Sequence, residues 1–247
     1  MSQKNNNFIR NSKLPKAVIF DTDNTLYAYD SVHKIATRAV EDKAIKVLGI
    51  ERNDFILAFN EARKEVKERL GSVASSHSRL LYMQGAIEKL GLGTRILLTL
   101  DLEQTYWRTF LNNCRLFPNF LDFAHQLKSR GIIMANITDL TAQIQFRKLI
   151  YFGLDELFDY VVTSEEAGED KPSKGPFEIA INKLQVEPDR IWMIGDDIMN
   201  DIYGASKMGM TTIQKVHKGV RIEKNGYCNP DFVFEHYNDI IRVIDHL

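Results

Sequence analysis

The amino-acid sequence predicts an α/β fold in which a doubly wound parallel sheet carries an inserted, all-helical segment. From Leu116 onward, short apolar runs alternate with stretches whose apolar residues recur every three or four positions. Another apolar run, Ala17–Phe20, lies far upstream, and the chain between these two regions has helical periodicity alone. Strands that are apolar throughout are typical of parallel sheets covered on both faces. We therefore assign residues 1–28 and 115–247 to the sheet domain and residues 29–114 to an inserted helical domain.

The inserted segment contains four predicted helices. In each of them apolar side chains recur at steps of three and four residues, as on the buried face of an amphipathic helix. A glycine, which readily adopts the left-handed conformation of a helix end, follows each of the first three. The predicted helices cover residues 32–48, 55–70, 78–90 and 102–111.

The sheet domain is predicted as strands and helices in alternation. Pro118 is placed to open a helix that Gly131 ends, since proline is favoured in the first turn of a helix. After the strand at Ala17–Phe20, the predicted strands cover residues 132–137, 160–163, 191–194, 211–216 and 231–234. The predicted helices between and after them cover residues 141–152, 177–184, about 200–208 and 237–246.

Composition excludes several classes of protein. The 247 residues carry a net charge of −1, so no basic field favours a nucleic acid polymer as partner. No apolar run approaches the ~20 residues that span a bilayer, and the polar start, Met1–Lys13, lacks the apolar centre of a signal peptide. Cys114 and Cys228 are too few for a disulfide framework and are expected to be buried or incidental thiols. We expect a cytoplasmic protein without a membrane partner.

Two carboxylates stand at the end of the first predicted strand. Asp21 and Asp23 are two positions apart, and side chains at that spacing project to the same side of an extended chain. Like charges this close repel each other unless a cation or a shared proton lies between them. The alternative is an ordinary polar turn, because Asp, Thr and Asn also favour turns. This segment alone does not decide between a divalent metal site and a turn.

Polar residues also follow the later predicted strands. Groups that bind ligands in doubly wound sheets lie beyond the carboxyl ends of the strands, so these side chains are expected at one edge. They are Thr138, Asp139, Lys171, Asp196, Asp197 and Asp201. Each has an ordinary explanation when taken singly, such as a loop hydroxyl, a solvated lysine or a helix N-cap. Their joint occurrence favours a site, and oxygen ligands without a soft donor favour Mg²⁺.

Four segments carry a resemblance to a known family. They are Phe20-Asp21-Thr22-Asp23-Asn24-Thr25-Leu26, Ile137-Thr138-Asp139, Lys171-Pro172 with Phe177, and Gly195-Asp196-Asp197-Ile198-Met199-Asn200-Asp201 continued by Gly204-Ala205 and Gly209-Met210. In this order they resemble the motifs of the haloacid dehalogenase-like (HAD) superfamily. The resemblance extends from about Lys16 to Val216. It implies a Rossmann-like, HAD-type core with a helical cap inserted after the first strand.

The resemblance implies a phosphatase mechanism. Asp21 would attack phosphorus and form an aspartyl-phosphate, which divides one difficult displacement into two easier ones. Asp23 would protonate the leaving alcohol and then deprotonate the attacking water. Mg²⁺ would be held by the Asp21 side chain, the Asp23 backbone carbonyl and Asp196.

The resemblance also implies roles for the remaining polar residues. Thr138 would hydrogen-bond a phosphoryl oxygen, and Lys171 would neutralise charge on the phosphate and the nucleophile. Asp197 and Asp201 would support the site, either by reaching the metal through water or by holding Lys171.

Two positions are informative within the family. Dehalogenases of the superfamily lack an acid two residues after the nucleophile, since halide needs no proton, so Asp23 favours a phosphate ester. Asp139 stands where asparagine is usual. If this position contributes only its backbone N–H to phosphate, the change is tolerable. If the side chain faces phosphate, the extra negative charge would weaken binding.

Substrate choice is expected to depend on the cap and on the loop that leads to it. Tyr29 follows the first motif, and His77 and Arg79 lie between two predicted cap helices. These side chains could bind an anionic or hydroxyl-rich leaving group. The alternative is that residues 75–78 cap a helix and that Arg79 is a surface charge. The segment Tyr27-Ala28-Tyr29 is similar to the branch with pyrimidine 5′-nucleotidases and sugar-phosphate phosphatases, without choosing between them.

The leading hypothesis is a Mg²⁺-dependent phosphatase acting on a nucleotide monophosphate or a sugar phosphate. A phosphomutase of the same superfamily would share Asp23, and it would need a cap that keeps water from the aspartyl-phosphate. A non-catalytic protein that uses the acidic pocket for binding is the third hypothesis, although it would have little reason to retain Asp23. The expected partner is a small phosphorylated metabolite, and the protein is expected to be a monomer or a homodimer.

Overall fold

The computed structural model describes residues 13–217, 220 and 228–247. The polar start of the chain, apart from Lys13, lies outside the described residues. The chain divides into two compact units, Met1–Ala28 with Arg115–Leu247, and Tyr29–Cys114. The first contains the sheet and the second contains only helices in its described elements. The assignment of these stretches to a core domain and a helical cap domain stays a prediction.

The described part of the first unit contains one parallel sheet. Its strands are β1 (Ala17–Phe20), β2 (Ile133–Thr138), β3 (Tyr160–Thr163), β4 (Ile191–Gly195), β5 (Thr211–Lys215) and β6 (Phe232–Phe234). Their order is β3-β2-β1-β4-β5-β6, and every neighbouring pair is parallel. The chain moves to one side of β1 for β2 and β3 and to the other side for β4 to β6. The crevice beside β1 is therefore the switch point at which such sheets bind ligands.

Helices of the first unit cover both faces of this sheet. They are α5 (Phe120–Ser129), α6 (Ala142–Tyr151), α7 (Ser164–Ala167), α8 (Lys174–Leu184), α9 (Gly204–Lys207) and α10 (Tyr237–Asp245). On one face Ala17 and Ile19 of β1 share a buried cluster with Phe177 and Leu184 of α8. On the other face the ring of Phe20 meets those of Phe120 and Phe123 edge to face, with centroids 5.7 and 6.0 Å away. The predicted α/β, doubly wound parallel fold is confirmed.

The second unit is built from four α-helices among its described elements. They are α1 (Tyr29–Leu48), α2 (Arg52–Leu70), α3 (Arg79–Lys89) and α4 (Ile96–Asn113), with a short 3₁₀ helix at Ala74–His77. Apolar residues at the predicted spacing form the buried faces, for example Val32, Ala36 and Val40 of α1. A Cβ at Gly85 of α3 would lie 2.8 Å from the Cβ of Ala62, so α2 and α3 approach closely there. In the described residues, no helix is both long enough and apolar enough to cross a membrane.

Helix boundaries differ from the sequence-based prediction in both units. In the helical unit α1 and α2 each begin three residues before the predicted start, and α4 begins at Ile96, six residues before it. Three boundaries in the sheet unit are informative. Asn119 has a φ of 65°, which helical backbone does not adopt, so α5 begins at Phe120 and not at Pro118. Helix α8 begins at Lys174, three residues early, because Pro176 falls in its first turn, where no backbone donor is needed. The predicted helix at about 200–208 begins at Ile198 as a π-helical segment that ends at Tyr203, and α9 follows it.

Candidate active site

Asp21 lies at the carboxyl end of the central strand β1. Its backbone N–H donates to the carbonyl of Ile194 at 2.9 Å, which extends the pairing with β4 by one residue. The chain then turns sharply, with Leu26 N donating to Thr22 O at 2.9 Å. The turn returns Thr25 to the carboxylate, and its hydroxyl donates to Asp21 Oδ2 at 3.0 Å. Asp21 is buried, and one oxygen of its carboxylate is held by a donor from within its own loop.

Lys171 connects two carboxylates from different loops. Its Nζ donates to Asp21 Oδ1 at 2.7 Å and to Asp201 Oδ1 at 2.6 Å. The Lys171 side chain is 2% exposed and that of Asp201 is 1% exposed. Burial alone would lower the pKa of this lysine, but the charges of Asp201 and Asp21 more than offset it and raise the pKa well above its usual value. The raised pKa favours the cationic form of Lys171 beside Asp21.

Asp196 completes an acidic cluster with these two residues. One carboxylate oxygen from each of Asp21, Asp196 and Asp201 lies within 4.8 Å of the other two. Burial, followed by repulsion from Asp21, raises the pKa of Asp196 to about 9. The same two causes, in the same order, raise the pKa of Asp201 to about 8. A hard divalent cation would relieve this repulsion, and the donors are all carboxylate oxygens, so the residues fit Mg²⁺.

The loop after β4 brings these acids together through close packing. A Cβ at Gly195 would lie 2.3 Å from Asp201 Oδ2, so only glycine fits at this strand end without a shift. Asp197 caps the following segment, because its Oδ1 accepts from Met199 N at 2.8 Å and Asn200 N at 2.7 Å. The N-cap interpretation that the sequence allows thus describes Asp197, which is exposed. Asp201 instead turns inward, and its Oδ2 accepts from Asp197 N at 3.0 Å.

Thr138 and Asp139 lie at the carboxyl end of β2, next to β1. Thr138 is 4% exposed and pairs with Thr163 in the neighbouring strand. Asp139 Oδ1 accepts from the backbone N–H of Lys171 at 2.9 Å and from Ser164 Oγ at 3.2 Å. Burial raises the pKa of Asp139, although the nearby Lys171 opposes the shift. The carboxylate of Asp139 thus holds the loop that carries Lys171.

Asp23 has partners that the sequence did not suggest. Its Oδ1 accepts from the Tyr27 hydroxyl and from Lys148 Nζ, the second at 2.8 Å. Lys148 lies on α6 and is 1% exposed. The available signal was its helical position: Lys148 and Gln145 lie three residues apart on the buried face of α6, where apolar residues would be expected. Two polar residues on that face indicate polar partners in the sheet.

A buried amide network lies beneath this loop and was also missed. Asn136 of β2 donates to Phe20 O at 2.9 Å, and Gln145 Nε2 donates to Asn136 Oδ1 at 2.8 Å. Gln145 Nε2 also donates to the hydroxyl of Thr22 at 2.8 Å. The network fixes the backbone between Asp21 and Asp23 from below.

The helical unit gathers its polar candidates separately. Arg79 donates to the Tyr29 hydroxyl and, at 2.7 Å, to the carbonyl of His77. Its guanidinium carbon lies 5.4 Å from the ring centroid of Tyr106 and 5.7 Å from that of Trp107. The residue is half-buried, so the alternative of a surface charge is wrong for Arg79. The helix-cap alternative is right in part, since Ser78 Oγ accepts from Leu81 N at 3.3 Å.

Cys114 and Cys228 are both buried thiols outside any disulfide, as the sequence predicts.

Comparisons with known proteins agree with the fold. Residues 15–209 match the family model of the haloacid dehalogenase-like hydrolases. Ribulose-1,5-bisphosphate 5-phosphatase of Halopiger xanaduensis is 34% identical over 80% of this chain and 83% of its own length. Glyceraldehyde 3-phosphate phosphatase of Methanopyrus kandleri is 28% identical over 94% of this chain and 98% of its own. The crystal structure of 2-haloacid dehalogenase from Pseudomonas syringae superposes with a TM-score of 0.76 at 20% identity, covering 94% of this chain and 98% of that one, which shows the shared fold.

The family model covers most of the chain, and the relative from Halopiger xanaduensis exceeds 30% identity over most of its length. The resemblance noted from four motifs is thereby confirmed, and the sheet with its helices is the Rossmann-like core of that superfamily. This chain is an enzyme and belongs to the haloacid dehalogenase-like hydrolase family.

Proposed function

We propose that this hydrolase is a Mg²⁺-dependent phosphatase that hydrolyses a small phosphorylated metabolite through an aspartyl-phosphate at Asp21. The observation that carries the proposal is the cluster in which Lys171 contacts both Asp21 and Asp201 while Asp196 completes a three-carboxylate set. A buried lysine beside a fixed carboxylate suits attack on an anionic phosphate, because the cation offsets repulsion between two negative groups.

The proposed reaction has two displacements. In the first, a carboxylate oxygen of Asp21 forms a bond to phosphorus, the bond from phosphorus to the substrate oxygen breaks, and Asp23 gives that oxygen a proton. In the second, water attacks phosphorus, its proton passes to the Asp23 carboxylate, and the bond to Asp21 breaks. The products are an alcohol and inorganic phosphate, and both aspartates return to their starting states.

Mg²⁺ would be held by the side chains of Asp21 and Asp196 and by the backbone carbonyl of Asp23. It would supply positive charge that screens the nucleophile from the phosphate. Asp201 would keep Lys171 in place, and Asp197 would support the loop as its N-cap. We propose a hydrogen bond from Thr138 to a phosphoryl oxygen. Since Asp139 Oδ1 is engaged by the Lys171 loop, we assign its side chain to that loop and not to phosphate.

Sugar phosphates are the favoured substrate class. The names of the two relatives describe phosphatases of a sugar bisphosphate and of a triose phosphate, and neither names a nucleotide. We retain Tyr29, His77 and Arg79 as proposed contacts for the organic part of the substrate. Their support is that they assemble into one polar and aromatic cluster within the helical unit.

Hydrolysis of 4-nitrophenyl phosphate tests the proposal. We expect turnover with Mg²⁺, loss of turnover in excess EDTA, and a loss of at least about 1,000-fold in Asp21→Asn, since the nucleophile is removed. Asp189→Asn is the matched control, because Asp189 is an exposed carboxylate just before β4, at the opposite end of that strand. Wild-type protein that is inactive with every divalent cation would instead favour a binding protein.

A panel of sugar phosphates and nucleotide monophosphates then identifies the substrate class. We expect release of inorganic phosphate, with sugar phosphates turned over faster than nucleotides. An isomerised phosphate ester in place of inorganic phosphate would favour a phosphomutase. Preferential hydrolysis of nucleotide monophosphates would contradict the substrate class but leave the phosphatase chemistry intact.

A further inference from the structure

Two donors bind one oxygen of the Asp23 side chain. Both of its identified side-chain donors, the Tyr27 hydroxyl and Lys148 Nζ, bind the same oxygen, Oδ1. The donors come from different places in the chain: Tyr27 follows in the same loop, and Lys148 lies 125 residues away on α6. Two directional hydrogen bonds to one oxygen fix χ2 of an aspartate, a torsion whose distribution is otherwise broad.

Burial differs sharply between the anchor and the group it holds. The side chain of Lys148 is 1% exposed, whereas that of Asp23 is 39% exposed. Tyr27 is fully buried, and Lys148 Nζ lies 5.7 Å from the centroid of its ring. Burying an ammonium is costly unless charged or polar groups pair with it, and the Asp23 carboxylate is such a partner for Lys148. The ammonium is therefore enclosed by protein, whereas the carboxylate is partly exposed to solvent.

Helix α6 is attached to the same loop at a second point. Gln145, one turn before Lys148, donates to the hydroxyl of Thr22 at 2.8 Å. Thr22 lies between the two aspartates. Helix α6 therefore contacts the loop at two residues, at Thr22 through Gln145 and at Asp23 through Lys148. The helix thereby fixes the position of the loop as well as the rotation of the Asp23 side chain.

We propose that Lys148 and Tyr27 are positioning residues that fix Oδ1 of Asp23 and so direct Oδ2 toward the oxygen of the leaving group. The inference rests on the proposed phosphatase function and extends it to two residues that would act through Asp23. A general acid must lie within hydrogen-bond reach of the atom it protonates, and a displacement of about 1 Å can cost about 100-fold in rate. Losing the anchor therefore lowers the proton-transfer contribution of Asp23 and leaves the Asp21 nucleophile in place.

Leaving groups of different acidity separate this role from a general structural one. A 4-nitrophenolate leaves readily without a proton, whereas an alkoxide does not. In Lys148→Met we expect kcat/KM to fall by about 100-fold for the alkyl phosphate that the wild type hydrolyses fastest. For 4-nitrophenyl phosphate we expect kcat/KM to fall by about threefold, because its leaving group departs without a proton. The ratio kcat/KM reports the steps up to departure of the leaving group, so it excludes the later hydrolysis of the aspartyl-phosphate, in which Asp23 acts on both esters alike.

A second set of variants makes the test independent of the stability of Lys148→Met. Tyr27→Phe removes one oxygen and keeps the buried ring, and we expect about a tenfold loss on the alkyl ester alone. Lys148→Arg keeps a cation, and we expect it to be about tenfold more active than Lys148→Met on the same ester. In an Asp23→Asn background, Lys148→Met and Tyr27→Phe should each change kcat/KM on the alkyl ester by less than about twofold, since residues that act as a unit are not additive. Lys207→Met is the control, because Lys207 is an exposed lysine that also lies over a tyrosine ring.

The outcomes separate failure of this inference from failure of the proposed function. Equal losses of kcat/KM on both esters, or a further loss in the Asp23→Asn background, would overturn the positioning role while the phosphatase remained. If Lys148→Met does not fold, as judged by circular dichroism, the effect of Tyr27→Phe in the wild type is compared with its effect in Asp23→Asn, and that comparison tests the positioning role. An enzyme that hydrolyses only the aryl ester has no need of a placed acid, which would also overturn the inference. A wild type inactive on both esters contradicts the proposed function itself.

Discussion

Lys171 in the sheet unit and Arg79 in the helical unit are both cations held among other side chains, but their surroundings differ in kind. Lys171 contacts the carboxylates of Asp21 and Asp201 at 2.7 and 2.6 Å. Arg79 lies over the rings of Tyr106 and Trp107 and donates to a phenol and a carbonyl. The first cation balances negative charge, and the second is stabilised mainly by neutral, polarisable groups.

The difference separates two uses of a positive charge. Removing Lys171 leaves two acids buried together without their common partner, so both the energy of the fold and the chemistry of Asp21 change. Removing Arg79 leaves aromatic rings and neutral acceptors, which pack or bind water at lower cost. The comparison predicts large effects on catalysis in the sheet unit and moderate effects on stability in the helical unit.

Lys171→Met gives the largest expected effect. We expect kcat on 4-nitrophenyl phosphate to fall by at least about 1,000-fold, because the developing charge on phosphate loses its buried cation. We also expect the free energy of unfolding to fall by about 3 kcal/mol, measured by urea denaturation. Lys174→Met is the matched control: Lys174 forms an ion pair with Glu178 at 3.1 Å, but its side chain is 75% exposed. Comparable losses in both variants would contradict the distinction drawn for Lys171.

The pH dependence of the metal-free protein is the second expected effect. Asp201 has its pKa raised to about 8 by burial and by Asp21, whereas the unfolded chain has the usual value near 4. Between these values the native state keeps a proton that the unfolded state loses, so stability falls as the pH rises. The slope for one such group is at most about 1.4 kcal/mol per pH unit.

Thermal unfolding in EDTA from pH 5 to pH 9 measures this effect. We expect the melting temperature of the wild type to fall more steeply with pH than that of Asp201→Asn, which cannot ionise. Saturating Mg²⁺ should reduce the slope of the wild type, because binding to the native state favours the ionised carboxylates. Parallel curves for the two proteins in EDTA would show that Asp201 does not carry this dependence.

Arg79→Met gives the smallest of the three expected effects. We expect a loss of about 1–2 kcal/mol in the free energy of unfolding, from the lost ring contacts and the hydrogen bond to His77. Turnover of 4-nitrophenyl phosphate should stay within about threefold of the wild type. Arg38→Met is the control, since the side chain of Arg38 is 61% exposed and its two ion pairs are 3.5 Å long. A loss of activity comparable to that of Lys171→Met would contradict the comparison.

Much of the sheet and its motif residues could be predicted from the sequence, because both depend on local pattern. Strand β3 has the predicted bounds, and the end of β1 falls directly before Asp21. Apolar runs decide which segments are buried on both faces, and the topology of parallel strands then brings their carboxyl ends to one edge. Asp21, Asp196 and Asp201 meet for that reason, although they are far apart in the chain.

The remainder depends on contacts that no local pattern encodes. The approach of Lys148 to Asp23 depends on which face of α6 packs on the loop, and the ring contacts of Arg79 come from residues on different helices. The early start of the helical segment after β4 arises because the Asp197 carboxylate binds two backbone N–H groups. The backbone carbonyl of Asp197 also accepts from the N–H groups of both Asp201 and Ile202. The bond from Ile202 spans five residues and makes the first turn π-helical.

The last helix of the chain also contributes to the loop of the nucleophile. Tyr237, at the start of α10, donates from its hydroxyl to the carbonyl of Thr25 at 2.8 Å, and Thr25 in turn binds Asp21. Residues more than 200 positions apart thus share one chain of hydrogen bonds. A nascent chain that contains the four motifs but not yet Tyr237 therefore lacks one hydrogen bond of the nucleophile loop. The carbonyl of Thr25 gains this partner only after the segment around Tyr237 has been synthesised and has docked on the loop.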